Sequence, residues 1–112
     1  MQQPVFVFNQ FSDNIVINHT QRFAMHLSII IPAFNEERLI LDCLNSIARS
    51  LAVNQKPGFT HEVIVVDNNS TDSTAKLAKQ TGAKVVFEPI NQIGRARNTG
   101  AAAACGDWLL FV

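Results

Sequence analysis

Three polar clusters hold the residues with chemical capability: Pro32-Ala33-Phe34-Asn35-Glu36-Glu37, Asp67-Asn68-Asn69-Ser70-Thr71-Asp72, and the segment from Glu88 to Arg97. Phe34 offers a ring on which a nucleobase stacks, beside backbone donors and acceptors fixed by Pro32. Asp67 offers a carboxylate that reaches a base N–H or a ribose hydroxyl, and Arg95 and Arg97 offer planar forks matched to phosphate oxygens. The first cluster contains no glycine. Its backbone therefore cannot wrap a pyrophosphate as a Gly-rich dinucleotide turn or a P-loop does, which counts against dehydrogenase and ATPase chemistry.

Each of these residues also has a purely structural use. A lone Phe34 is more often a packing ring, Asp67 and Asp72 suit turns and caps, and two arginines suit the solvated side of a helix. Glu36 and Glu37 suit a first helical turn through the helix dipole, and Asn98 and Gly100 permit close helix packing. His26 and His61 flank strands and read as inert, and Cys43 and Cys105 read as buried small apolar groups.

The elements that would position the clusters follow from periodicity. Leu27-Ser28-Ile29-Ile30-Ile31 is a short β-branched run stopped by Pro32, as expected of a parallel strand covered on both faces. Asn35 is placed to cap a helix whose apolar positions Ile40, Cys43, Leu44, Ile47, Ala48 and Leu51 share one face. Lys56-Pro57-Gly58 closes that unit, and Glu62 to Val66 forms a second strand running into the Asp67 loop. A second helix is expected from about Ser70 to Asp72 up to Gly82, then a strand Lys84 to Phe87 broken by Pro89. A third helix spans about Gly94 to Cys105, ends at Gly106, and leads into the strand Trp108 to Val112. This alternation implies an α/β, Rossmann-like, mostly parallel sheet of about four strands with flanking helices, all three clusters lying at the carboxyl ends of strands.

Composition sets the outer limits. The 112 residues are 47% hydrophobic and 16% charged with a formal net charge of zero, which fits one ordinary globular domain. No basic field draws the chain to nucleic acid, no apolar run reaches the roughly 20 residues of a membrane span, and no secretory signal opens it. Two distant cysteines argue against a disulfide scaffold or metal knuckle and favour a reducing cytoplasm. Residues 1–26 show no sustained period and read as an extension, with Met25 a candidate alternative start. Asn18-His19-Thr20 matches a glycosylation triplet short enough to occur by chance.

In order and spacing, IIIPAFNEE, VIVVDNNSTDST and GRARNTGAAAACGDWLLFV resemble the family 2 glycosyltransferases with the GT-A fold, over Leu27 to Val112. The resemblance implies that Pro32, Ala33, Phe34 and Asp67 hold the nucleoside, uridine or guanosine, that Glu36 touches the ribose, and that Arg97 and its neighbours, Arg95 among them, face the diphosphate. It implies that Asn69 and Asp72 shape their loop and that Asn98, Gly100 and Asp107 seat the third helix against the last strand. Asn68-Asn69 stands where many relatives carry Asp-Gly, which leaves the nucleotide preference open. Family members transfer a sugar from a nucleoside diphosphate to an acceptor, using Mg²⁺ or Mn²⁺ held by an Asp-x-Asp motif directly after the fourth strand, where this chain stops. The expectation is therefore a partial glycosyltransferase, 27–112, that binds the UDP- or GDP-linked donor but lacks the metal and acceptor half and does not catalyse transfer alone. Its longer parent would build a polysaccharide, glycolipid or polyprenyl-linked sugar in the cytoplasm, at the inner face of the membrane. A stand-alone nucleotide-sugar-binding module or pseudoenzyme, and an unrelated α/β binding domain, are the alternatives.

Overall fold

The computed structural model describes residues 24–112. The Asn18-His19-Thr20 triplet and the extension as far as residue 23 lie outside the described residues. The order is β1 (Met25–Ala33), α1 (Ile40–Val53), β2 (Phe59–Asp67), α2 (Thr74–Gln80), β3 (Lys84–Phe87), α3 (Ile93–Ala103) and β4 (Trp108–Phe111). All pairings are parallel, in the order β3-β2-β1-β4. The expected α/β layer is thus present, with β1 and β2 longer than their apolar runs suggested.

Strand alternation divides the core into two layers. Leu27, Ile29, Ile31, Ala33 and Val65 face Ile40 and Leu44 of α1 and Ala78 of α2. Ile30, Ile64, Val66 and Leu109 face Ala96 of α3. Because β1 and β2 are covered on both sides, their central residues are apolar without interruption. Gly100 is where α3 comes closest to the sheet: a Cβ there would collide with the methyl groups of Ile30 and Val66.

Pro32 does not stop β1, contrary to expectation, and the ladder explains why. The Ile30 carbonyl accepts from Val112 N and the Ala33 carbonyl from Asn68 N. Even-numbered residues of this stretch therefore turn their backbone groups toward β4, and odd-numbered ones toward β2. Pro32 lacks a donor only on the β4 side, where the paired register ends at Ile30 opposite Phe111. The β1–β2 pairing continues to Ala33 opposite Asp67.

Three helix boundaries differ from expectation. Asn35 does not cap α1, which begins at Ile40 with no side-chain cap; its φ of 51° places it in a left-handed turn instead. α2 begins at Thr74, after the Ser70 to Asp72 stretch, although Gly82 does follow it in the expected left-handed conformation, φ 89°. α3 ends at Ala103, because Ala104 is already extended. Ala48 is exposed rather than on the packed face of α1, and Cys105 is exposed rather than buried.

Candidate functional site

The switch in strand order lies between β1 and β4: the chain leaves β1 for β2 and β3 on one side, then returns to β4 on the other. In an open parallel sheet the ligand crevice forms at the carboxyl ends beside such a switch. Three loops meet there, and their backbones are held by one another's side chains.

The loops after β1 and β2 form a two-way clasp. Asn35 N donates to Ser70 Oγ at 3.0 Å, Glu36 N to Thr74 Oγ1 at 2.8 Å and Glu37 N to Asp72 Oδ2 at 3.2 Å. In return Thr71 N donates to Asn35 Oδ1 at 2.8 Å and Ser73 N to Glu37 Oε1 at 3.0 Å. Asp72 also accepts from Thr74 N at 2.9 Å. Burial pushes the Asp72 carboxyl up, but the Thr74 hydroxyl and the Thr74 and Glu37 amides outweigh it and hold the carboxyl below its ordinary value. Among the described residues the two non-glycine residues with positive φ, Asn35 at 51° and Asn69 at 60°, sit one in each loop. Backbone strain gathered in this way marks segments whose shape the surroundings impose.

The loops after β2 and β3 are joined by Asn68, which is 6% exposed. Its Nδ2 donates to the Glu88 carbonyl at 3.1 Å and the Ile90 carbonyl at 2.6 Å, and Asn91 Nδ2 donates back to the Asn68 carbonyl. Glu88, also buried, accepts from Thr99 Oγ1 at 2.6 Å, Ile90 N at 2.9 Å and Arg95 Nε at 3.4 Å. The Thr99 hydroxyl and the Ile90 amide, then Arg95, hold its carboxyl below the usual range against the opposing effect of burial.

Against this frame the expected site residues separate. Phe34, half exposed, follows the last residue of β1, and Asp67, 8% exposed, ends β2 directly opposite Ala33. Asp67 Oδ1 accepts from Ser70 N at 2.9 Å, so one oxygen shapes the turn, as the structural alternative required. Asn69 and Glu36 are exposed, and neither side chain makes a hydrogen bond among the described residues. Arg95 and Arg97 do not share a flank of α3, since two residues turn a helix by about 200°. Arg95 and Thr99 both reach Glu88 on the β3 side. Arg97 leaves the opposite flank and is exposed. A shallow depression of about 490 Å³ lined by Asn35, Glu36, Glu37, Arg38, Leu39, Thr71 and Asp72 is acidic and does not include Phe34, Asp67 or either of these arginines.

Asn68 and Glu88 fell within the polar clusters but were given no role of their own in the site, and Thr99 was not singled out from sequence. For Glu88 a signal existed: it follows the last residue of β3 just where a carboxylate or amide follows the apolar run of β2. Among the described residues no group of three or more His, Cys, Asp or Glu is arranged to hold a metal, so these residues do not fit a divalent cation. No helix among them is long and apolar enough to cross a membrane.

Comparison with known proteins agrees with this architecture. The family model for glycosyl transferase family 2 matches residues 28–112. The chain is 38% identical over 96 residues to a poly(ribitol-phosphate) beta-glucosyltransferase of Bacillus spizizenii, covering 79% of this chain and 14% of that protein. It is 35% identical over 80 residues to the dolichyl-phosphate beta-glucosyltransferase of Homo sapiens, covering 70% and 25%. Among solved structures, glucosyl-3-phosphoglycerate synthase from Mycobacterium tuberculosis, in complex with Mn²⁺, UDP and phosphoglyceric acid, superposes with a TM-score of 0.65 at 32% identity, covering 79% of this chain and 32% of that one. Staphylococcus aureus TarS in complex with UDP gives 0.66 at 34% identity, covering 79% and 27%. The chain thus spans a third or less of the length of these relatives.

Proposed function

This chain belongs to glycosyl transferase family 2, and on that premise we propose that residues 27–112 form the part of a glycosyltransferase that receives a nucleoside-diphosphate sugar as donor. The observation that carries the reading is the position of Phe34, directly after Ala33, and of Asp67, opposite Ala33, at the ends of neighbouring strands beside the β1–β4 switch. Phe34 stacks the base, the free oxygen of Asp67 accepts from base or ribose, and Pro32 and Ala33 give the loop its backbone edge. Glu36 and Asn69, free of internal bonds, are available to the ribose and the loop's outer face. Arg95 on the β3 flank of α3 and Arg97 on the other flank are the two candidates for the diphosphate. UDP in two structurally similar relatives favours uridine over guanosine.

The sugar passes to an acceptor of a longer parent protein, in the building of a polysaccharide or lipid-linked glycan in the cytoplasm at the inner membrane face. The names of the Bacillus and human relatives support that class. Mn²⁺ beside UDP in the mycobacterial structure supports a Mg²⁺- or Mn²⁺-dependent parent. The described residues offer no ligand set for that ion, and donor binding is the step assigned to them.

Calorimetry with UDP tests the site. Asp67→Ala is expected to lose about tenfold in affinity, the scale of a hydrogen bond to a charged group, with folding intact by circular dichroism. Equal affinity in the variant would remove Asp67 from the site.

A further inference from the structure

Glu88 is a buried carboxylate with three donors, and two of them, the Ile90 amide and the Thr99 hydroxyl, suffice to join the β3–α3 loop to the helix. The third, Arg95, is half exposed and 3.4 Å away, a geometry that contributes little to stability. Its effect is directional. A long side chain that would otherwise sample many rotamers is held by its Nε, which leaves the two terminal amino groups of the guanidinium free. Arg95 and Thr99, one helical turn apart, reach the same carboxylate, so the anchor is also tied to the rotation of α3 about its axis. That rotation is fixed independently by Gly100 against Ile30 and Val66. Asn68 then fastens the same loop to the end of β2, next to Asp67.

We propose that Glu88 is a positioning residue for donor binding, holding Arg95 by its Nε so that the terminal amino groups meet the diphosphate while Asp67 and Phe34 hold the nucleoside. The proposal rests on the donor-site reading above. Holding the guanidinium before the ligand arrives removes an ordering cost from binding. The benefit falls on the anionic part of the ligand alone, because nothing in the Glu88 network touches Phe34 or the free oxygen of Asp67.

The test compares UDP with uridine in the full chain, using wild type, Glu88→Gln, Arg95→Met and the double variant. Glutamine at 88 keeps one oxygen to accept from Ile90 N and turns its amide nitrogen to the Thr99 hydroxyl, which can accept instead, so the loop stays joined to the helix while Arg95 loses its anionic partner; Arg95→Met probes the same pair from the other side. Glu88→Gln is expected to weaken UDP about three- to tenfold and leave uridine unchanged, with no added loss in the Arg95→Met background. Equal losses for uridine and UDP would make Glu88 merely structural and overturn the proposal, as would penalties that multiply in the double variant. A readout without nucleotide separates the two readings. The Arg95 Nε–H resonance should exchange with water more slowly in wild type than in Glu88→Gln, and equal exchange overturns the anchoring. Failure of wild type to bind UDP while that protection persists would instead overturn the donor-site reading.

Discussion

Asn35 and Asn69 adopt nearly the same left-handed conformation for different reasons, and substitution separates them. Asn35 Oδ1 accepts from Thr71 N, so its side chain is part of the clasp. The Asn69 side chain makes no hydrogen bond among the described residues and needs only to tolerate a φ of 60°. Asn69→Gly should therefore be neutral or slightly stabilising, whereas Asn35→Gly should cost about 1 kcal/mol through the orphaned Thr71 amide. A β-branched residue at 69 should cost about 1–2 kcal/mol. Urea unfolding of the three variants decides; a loss at Asn69→Gly as large as at Asn35→Gly would contradict the distinction. At this scale the sequence was informative about residue type and less so about partners. Asp67 and Phe34 stand where strand ends put them. Asn35, however, has the composition of a helix cap, and only the distant Thr71 amide, brought alongside by strand pairing, turns it into a clasp residue. Glu88, named only as the start of a polar cluster, had no role of its own in sequence because burial of a carboxylate becomes visible only when Thr99 and Arg95 arrive from the next helix.

Elements are joined at the opposite, amino edge by a second polar network, remote from the crevice. Ser28 Oγ donates to Glu62 Oε2 at 2.6 Å, the Cys105 amide donates to the same oxygen at 2.6 Å, and the Gly106 amide donates to Ser28 Oγ at 2.8 Å. The network seats the α3–β4 connection on β1 and β2, and so sets the register of β4. The expectation that Gly106 simply ends a helix missed this close approach: a Cβ at Gly106 would lie 2.6 Å from Ser28 Oγ and 2.7 Å from Ser28 N. Gly106→Ala is expected to cost about 2–4 kcal/mol, since backbone rather than a flexible side chain must give way; a thermal midpoint within a degree or so of wild type would refute the constraint. Burial pushes the Glu62 carboxyl up, yet the Cys105 amide, the Ser28 hydroxyl and the charges of Lys84 and His26 hold it below its ordinary value. With the folded value below the unfolded one, the contribution is complete above the ordinary carboxylate range, near about pH 4.3, and is lost as pH falls through the folded value. Asp72 and Glu88 act in the same sense. Melting temperature should accordingly hold steady above about pH 5 and drop below about pH 4, and Glu62→Gln should flatten part of that drop. An acid limb of unchanged depth in Glu62→Gln would place the titration elsewhere.

Across the whole molecule, strand order was the feature that periodicity could not supply. Alternating helix and strand implied parallel pairing, but which strand lies beside β1 depends on the sides to which three crossovers lead, and the answer, β2 and β4, is what creates the switch. Pro32, next to that switch, has no N–H to offer on the β4 side of β1. The crevice is therefore a property of strand order. Since the described residues gather no ligand set for a divalent ion, UDP binding by this chain should draw on the nucleoside contacts and the arginines alone. The expectation is that UDP raises the thermal midpoint in the presence of EDTA, and that Mn²⁺ or Mg²⁺ at millimolar concentration changes UDP affinity by less than about twofold. Uridine should bind more weakly than UDP by the share that Arg97 and Arg95 contribute, with that difference shrinking as salt rises. A tenfold gain in UDP affinity on adding Mn²⁺ would show that this chain builds a metal site that its described residues do not, and would move the diphosphate away from the arginines and onto the ion.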